Sequence, residues 1–147
     1  MGAKQLVLDI YSVNEDATKS AVEKYLLQAR EYQITEYIPE EASMTASYSD
    51  MPRGNTGLTS DQTGRLAEKN VDEPIRRKKH IERAEKAVSR LNGRQRNLIN
   101  LRYMSDDDVL DLNVAAELGY SERHYRRIKS VAIYRLASIL GLFIFEE

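Results

Sequence analysis

Few side chains in this sequence are equipped for covalent chemistry. The chain has no cysteine, which removes disulfides, thiolate nucleophiles and cysteine-bound zinc together. Its two histidines, His80 and His124, have neither histidine nor acid four residues away, the spacing that sets two metal ligands on one helical face. Neither has a nucleophile motif nearby. The acids of "SDDDVLDLN", Asp106, Asp107, Asp108 and Asp111, lack the alternating order, the glycine and the closing glutamate of a calcium loop. They fit helix capping better, with Ser105 or an early Asp at a helix N-terminus. "GNTG" has two close glycines but no Lys-Ser/Thr after them, so it reads as a turn rather than a phosphate cradle. These absences point away from an enzyme and from any metal or cofactor site.

Cations offer a different chemistry. In "AAELGYSERHYRRIKSVAIYRL", from Ala115 to Leu136, five of them follow a Gly-Tyr-Ser break. Tyr125, Ile128, Ala132 and Leu136 step by three and four, so they stack on one helical face and must turn inward. Arg123, Arg127, Ser130 and Tyr134 fall opposite, with Arg126 and His124 flanking them. Gly119 permits a sharp turn at positive φ, Ser121 caps the helix that follows, and Val114, Ala115 and Leu118 form the buried edge of a shorter helix before it. The Ala115-Ala116 pair suits a close helix crossing. Two short helices around a glycine turn, the second apolar inside and cationic outside, describe a helix-turn-helix. Arg123, Arg126 and Arg127, in the first turns of the second helix over 122–137, are placed to fork onto guanine O6 and N7 in a major groove. Lys129 and Arg135, lower down, are expected to meet phosphates.

The rest of the chain must position that unit. "KQLVLDIYS" is either a short strand or a lead-in coil. From Asp16 to Tyr37, residues Val22, Tyr25, Leu26, Ala29, Tyr32 and Ile34 or Tyr37 recur at helical spacing, with Ser12–Glu15 or Ser20–Glu23 as capping box and Pro39 as terminator. Residues 42–60, rich in Ser, Thr, Gly and Asn, read as a loop. A short helix follows over Asp61–Lys69. A second begins at Asp72 with Pro74 in its first turn, lines one face with Ile75, Ile81, Ala84, Val88 and Leu91, and stops at Asn92-Gly93. Its cations, Arg76 to Lys79, Arg83, Lys86 and Arg90, read chiefly as a salt-bridged surface within reach of Glu82 and Glu85, with phosphate contact as the other reading. Next, Arg94–Met104 packs through Leu98, Leu101 and Ile99. The expected fold is all-α, divided into residues 1–60 for self-association or partner contact, basic helices over 61–90, and a DNA-binding unit with an apolar tail over 91–147. In that tail, Leu142, Phe143, Ile144 and Phe145 either cover the core, seal a homodimer or meet a partner.

At 147 residues the chain suffices for one ordinary domain, or for a small one with an extension. Its 41% hydrophobic and 31% charged residues exclude a disordered chain. The net charge of -1 hides segregation. Residues 1–50 hold 4 basic against 9 acidic side chains, 65–90 hold 9 against 5, and 121–135 hold 5 against 1. A polyanion senses local potential within about 10 Å at physiological salt, so the basic segments are not cancelled by the acidic one. No secretion signal or membrane-length apolar run is evident, and the expected location is the cytoplasm, with no membrane partner.

"LNGRQRNLINLRYM" followed by "VAAELGYSERHYRRIKSVAIYRL" resembles region 4 of bacterial sigma factors. It shares an L-x-x-R-x-R-x-x-x-x-L-R-Y helix, an A-x-x-L-G-x-S turn and a reader helix ending A-I/L-x-x-L. The resemblance covers about residues 91–138 and implies base reading at Glu122, Arg123, Arg126 and Arg127. Arg123 and Arg127 stand where the family usually has acidic and amide residues, which points away from an ordinary promoter element. The whole plan resembles small phage late-operon transcriptional regulators of the ArpU/RinA type. That resemblance implies an activator of packaging or lysis genes in a bacterial host cell, with double-stranded DNA as partner, RNA polymerase as a further one, and no chemistry of its own. Two rival readings remain: a small terminase-like packaging adaptor, which also pairs a helix-turn-helix with helical oligomerisation, and a module that binds RNA polymerase and hardly touches DNA.

Overall fold

The computed structural model describes residues 12–41 and 56–146. Most of "KQLVLDIYS" and of the Ser/Thr/Gly-rich loop lies outside the described residues. The architecture is all-helical: α1 Glu15–Ile34, α2 Thr56–Ser89, α3 Gly93–Tyr103, α4 Asp111–Leu118 and α5 Glu122–Leu140.

Helix α1 starts one residue before the expected span and is capped by neither serine. Asn14 does this instead, its Oδ1 accepting from the Ala17 N–H at 3.0 Å. Thr18, Val22, Leu26 and Ala29 then bury one stripe at three- and four-residue steps. The helix ends at Ile34, before Pro39. Thr35 turns extended, and its N–H and hydroxyl both bond the Glu31 carbonyl, a side-chain alternative to another helical turn. Ile34 is therefore exposed rather than part of the stripe.

The largest departure from expectation is α2. Residues 56–89 form one 34-residue helix with Pro74 inside it, about 51 Å long, rather than two helices with the proline in a first turn. An internal proline removes one helical hydrogen bond, and the surroundings here brace the defect. Glu73 accepts from Arg76 and Arg77 on the far side of the proline, and hydrogen bonds from first Arg76 and then Arg77 pull its carboxyl down to about 2. Four residues before Pro74, Asn70 accepts from the Tyr37 hydroxyl and the Glu40 N–H and donates to the Glu40 carbonyl. The segment after α1 is thereby strapped along α2. The salt-bridge partner of the basic run is Glu73, not Glu82 or Glu85, since Glu85 accepts from Gln33 of α1. Ala84, Ala87, Val88 and Leu91 enter the core, whereas Ile75 does not.

Asn92 begins a helix instead of only stopping one. Its side chain accepts from Gln95 N–H while Gln95 Oε1 accepts from the Asn92 N–H, a complete capping box for α3. Gln95, Leu98, Ile99 and Tyr103 are the buried residues of α3. All five helices feed one core, so the division at 60 and 90 does not follow the packing: α2 crosses the first boundary and α1 shares the core with α3 to α5. After α5, Leu142 and Phe143 lie half-buried against that core, while Ile144 and Phe145 are exposed. This tail pairs with the lead-in to α1 through an antiparallel bridge between Val13 and Phe145. Asn14 N–H donates to the Ile144 carbonyl at 2.7 Å and Glu146 N–H to the Ser12 carbonyl at 2.8 Å.

Candidate nucleic-acid interface

Helices α4 and α5 form the candidate reader. Val114 and Ala115 bury the inner edge of α4, Leu118 is half-buried, and Ala116 faces solvent. Gly119 ends α4 at φ 71, ψ 28, the left-handed region where a side chain is strained. Its neighbour Tyr120 returns an N–H to the Ala115 carbonyl at 2.9 Å. Ser121 then caps α5, its Oγ accepting from the His124 N–H at 3.2 Å. On α5, Tyr125, Ala132 and Leu136 are buried as the spacing requires, Ile128 is half-buried, and Ile133, Ala137 and Leu140 complete the inner face. The helix runs three residues beyond the expected end and stops at Gly141, again left-handed.

Arg123, Arg127, Ser130, Tyr134 and Arg135 are exposed. Arg123, Arg127 and Arg135 make no ion pair among the described residues. Arg126 is also exposed, but its guanidinium lies 2.5 Å from Glu122 one turn earlier, on the flank of α5 that borders a cleft of about 810 Å³. That cleft lies between α5, the start of α1 (Glu15, Lys19), the exposed Leu110 that precedes α4 and the exposed Leu112 within it. His124 is half-buried, edge-on to the Tyr120 ring at 4.9 Å. The Tyr134 ring packs edge-on to Phe143 of the tail at 4.9 Å, so its outward position is set by apolar contact.

Lys129 corrects the expected arrangement. Assigned to phosphate, it is instead only 7% exposed and its Nζ sits 2.9 and 3.1 Å from the two carboxylate oxygens of Asp111. The reason lies in the helical period: position 129 falls between Tyr125 and Ala132 on the inward face, so its stem packs inside and its ammonium needs a buried partner. Asp111 also accepts from the Tyr125 hydroxyl at 2.6 Å and from Arg102 Nε at 2.9 Å. One carboxylate thus joins α3, α4 and α5. Burial opposes its ionisation, but the Tyr125 hydrogen bond and then Lys129 outweigh that, leaving its pKa below the ordinary value. Burial, and after it the bond to Asp111, pushes the Tyr125 hydroxyl up. Tyr103, buried beneath Lys129 and Arg102, donates to Glu23 of α1 at 3.0 Å.

Of the acidic run, Asp111 does stand at a helix N-terminus, in the first turn of α4, but no side chain of the run bonds the cap. Residue Leu110 occupies the N-cap of α4 without a side-chain bond, and Ser105 donates backward to the Leu101 carbonyl and forward to that of Asp107. Asp108 holds Arg30 of α1 at 2.6 Å, and Arg30 Nε is buried without a partner. Asp111, Arg102 and Arg30 were missed as organising residues because their partners lie far along the chain. Only the density of acids around 106–111 hinted at their role. Among the described residues no cluster of His, Asp or Glu fits a metal ion, and no helix is long and apolar enough to cross a membrane. No protein-family model, curated protein or solved structure matches this chain.

Proposed function

We propose that the chain is a sequence-specific double-stranded DNA-binding transcriptional regulator that reads a major groove with the N-terminal turns of α5. One observation carries the reading: Tyr125, Ala132 and Leu136 are turned into the core while Arg123 and Arg127, one turn apart on the outer face, are exposed and make no ion pair among the described residues. Such guanidiniums need no ion pair broken before they meet guanine edges, and their planar fork loses less freedom per hydrogen bond formed than a lysine ammonium does. Arg126, tethered to Glu122, is released for a base or phosphate at the small cost of an exposed ion pair. Arg135, exposed lower on α5, supplies phosphate contact, a role that buried Lys129 does not have. The resemblance of residues 91–138 to sigma region 4, and of the whole plan to phage late-operon regulators, supports control of packaging or lysis genes.

The test is selection of bound duplexes from a random pool with the full chain, followed by a salt titration on the enriched sequence. A shared motif whose affinity falls steeply with salt, as phosphate neutralisation requires, is the expected result. Duplex binding that is absent, or that ignores salt, refutes it.

A further inference from the structure

The half of α2 around Pro74 carries apolar side chains that nothing among the described residues covers. Val71 is 61% and Ile75 48% exposed, and they stand one turn apart. At about 100° per residue they share a stripe turned away from Ala84 and Val88, the residues by which α2 enters the core. The same stripe takes in Gly64, Glu68, Lys78 and Glu82, so its members recur at alternating steps of four and three, the spacing of a helix-pairing seam. A side chain at Gly64 would meet only open space. Glu68 and Lys78 make no ion pair among the described residues. The strap from Tyr37 to Glu40 is held at Asn70, on another side of the helix.

The charges decide what fits this stripe. A parallel second copy would set Glu68 on Glu68 and Lys78 on Lys78. An antiparallel copy related by a two-fold axis beside residue 73 sets Val71 against the partner's Ile75, Ile75 against the partner's Val71, and Glu68 against the partner's Lys78 in both directions. The stripe is complementary to itself in that orientation alone, as a closed two-fold interface demands. We propose that two copies of this chain associate through antiparallel pairing of α2, with Val71 and Ile75 at the centre and Glu68–Lys78 contacts at either side. Such a dimer carries two copies of α5 related by the symmetry of a palindromic site, yet the pairing itself does not depend on DNA.

Sedimentation of the full chain without DNA, over a concentration series, tests the pairing. A reversible dimer is expected, converted to monomer by Ile75→Ser. Glu68→Lys and Lys78→Glu should each weaken it about tenfold through two like-charge contacts per dimer, and the double exchange should restore it. These residues lie outside the core, so helix content stays unchanged in every variant, and thermal unfolding monitored by circular dichroism stays unchanged when compared at dilutions where every chain is monomeric. A chain that remains monomeric, a dimer indifferent to Ile75→Ser, or a double exchange that fails to recover overturns the proposal.

Discussion

Lys129 Nζ lies 2.9 Å from Asp111 Oδ2, tying the middle of α5 to the first residue of α4. Because the lysine is buried and the carboxylate half-open, the two partners differ in what their loss exposes. Asp111→Ala strands a buried ammonium and should cost about 2–3 kcal/mol. Lys129→Met, which keeps the stem and leaves Asp111 two other donors, should cost well under that. Urea denaturation separates the two. Lys129→Met should also leave the salt slope of duplex binding unchanged, whereas loss of a phosphate contact reduces that slope by about one.

Acid should erase the Asp111 contribution. Its pKa is depressed in the folded state, so the stability it adds is whole above the unfolded value and is lost as pH falls through the folded one. The stability gap between the parent chain and Asp111→Asn should be constant near neutrality and shrink below about pH 4. A gap that persists at lower pH would assign the effect to shape rather than charge.

On the outer face, Arg127→Ala should cost about 1–3 kcal/mol at its cognate base pair and relax specificity there. Affinity measured against a panel of single-base variants checks this. Equal loss on every duplex would make Arg127 a phosphate contact.

Tyr125 has two roles that substitution can divide. Tyr125→Phe removes only the 2.6 Å hydrogen bond to Asp111 and should cost about 1 kcal/mol. Tyr125→Ala also empties a core position and should cost about 3–5 kcal/mol. Thermal unfolding of both variants is the measurement, and near-equal losses would show that the ring contributes little packing.

Gly119→Ala isolates backbone strain. Space around the position is open, so a clash is not at issue, but φ 71 penalises any side chain by about 1–2 kcal/mol. Chemical denaturation should show that loss, and Gly119→Asn should recover part of it, because asparagine tolerates the left-handed region better.

Local signals in the sequence were enough to trace the reader. The three- and four-residue steps of Tyr125, Ala132 and Leu136, the left-handed Gly119 and the Ser121 cap each act within a turn or two of themselves, and each appears in the structure as its chemistry requires. What escaped depends on distance. Lys129 looks like one more surface cation until Asp111, 18 residues earlier, supplies the anion that lets it face inward. Pro74 looks like a helix start until the strap at Asn70 and the Glu73 pairs brace it in place. Asn92 is the exception: its capping box with Gln95, three residues on, is itself a local signal that reading Asn92-Gly93 only as a stop overlooks.

Apart from its caps at Asn14 and Thr35, helix α1 makes its polar side-chain contacts outside itself, among the described residues, with distant parts of the chain. Gln33 meets Glu85, Arg30 meets Asp108, Tyr103 meets Glu23, and Thr18 meets the Ile144 carbonyl at a separation of 126 positions. Each such closure must overcome chain entropy before it yields any attraction, whereas α3 to α5 are neighbours along the chain. During refolding, α3 to α5 should therefore assemble first and α1 should lock last, making this protein a slower folder than a helical bundle of its length with adjacent partners.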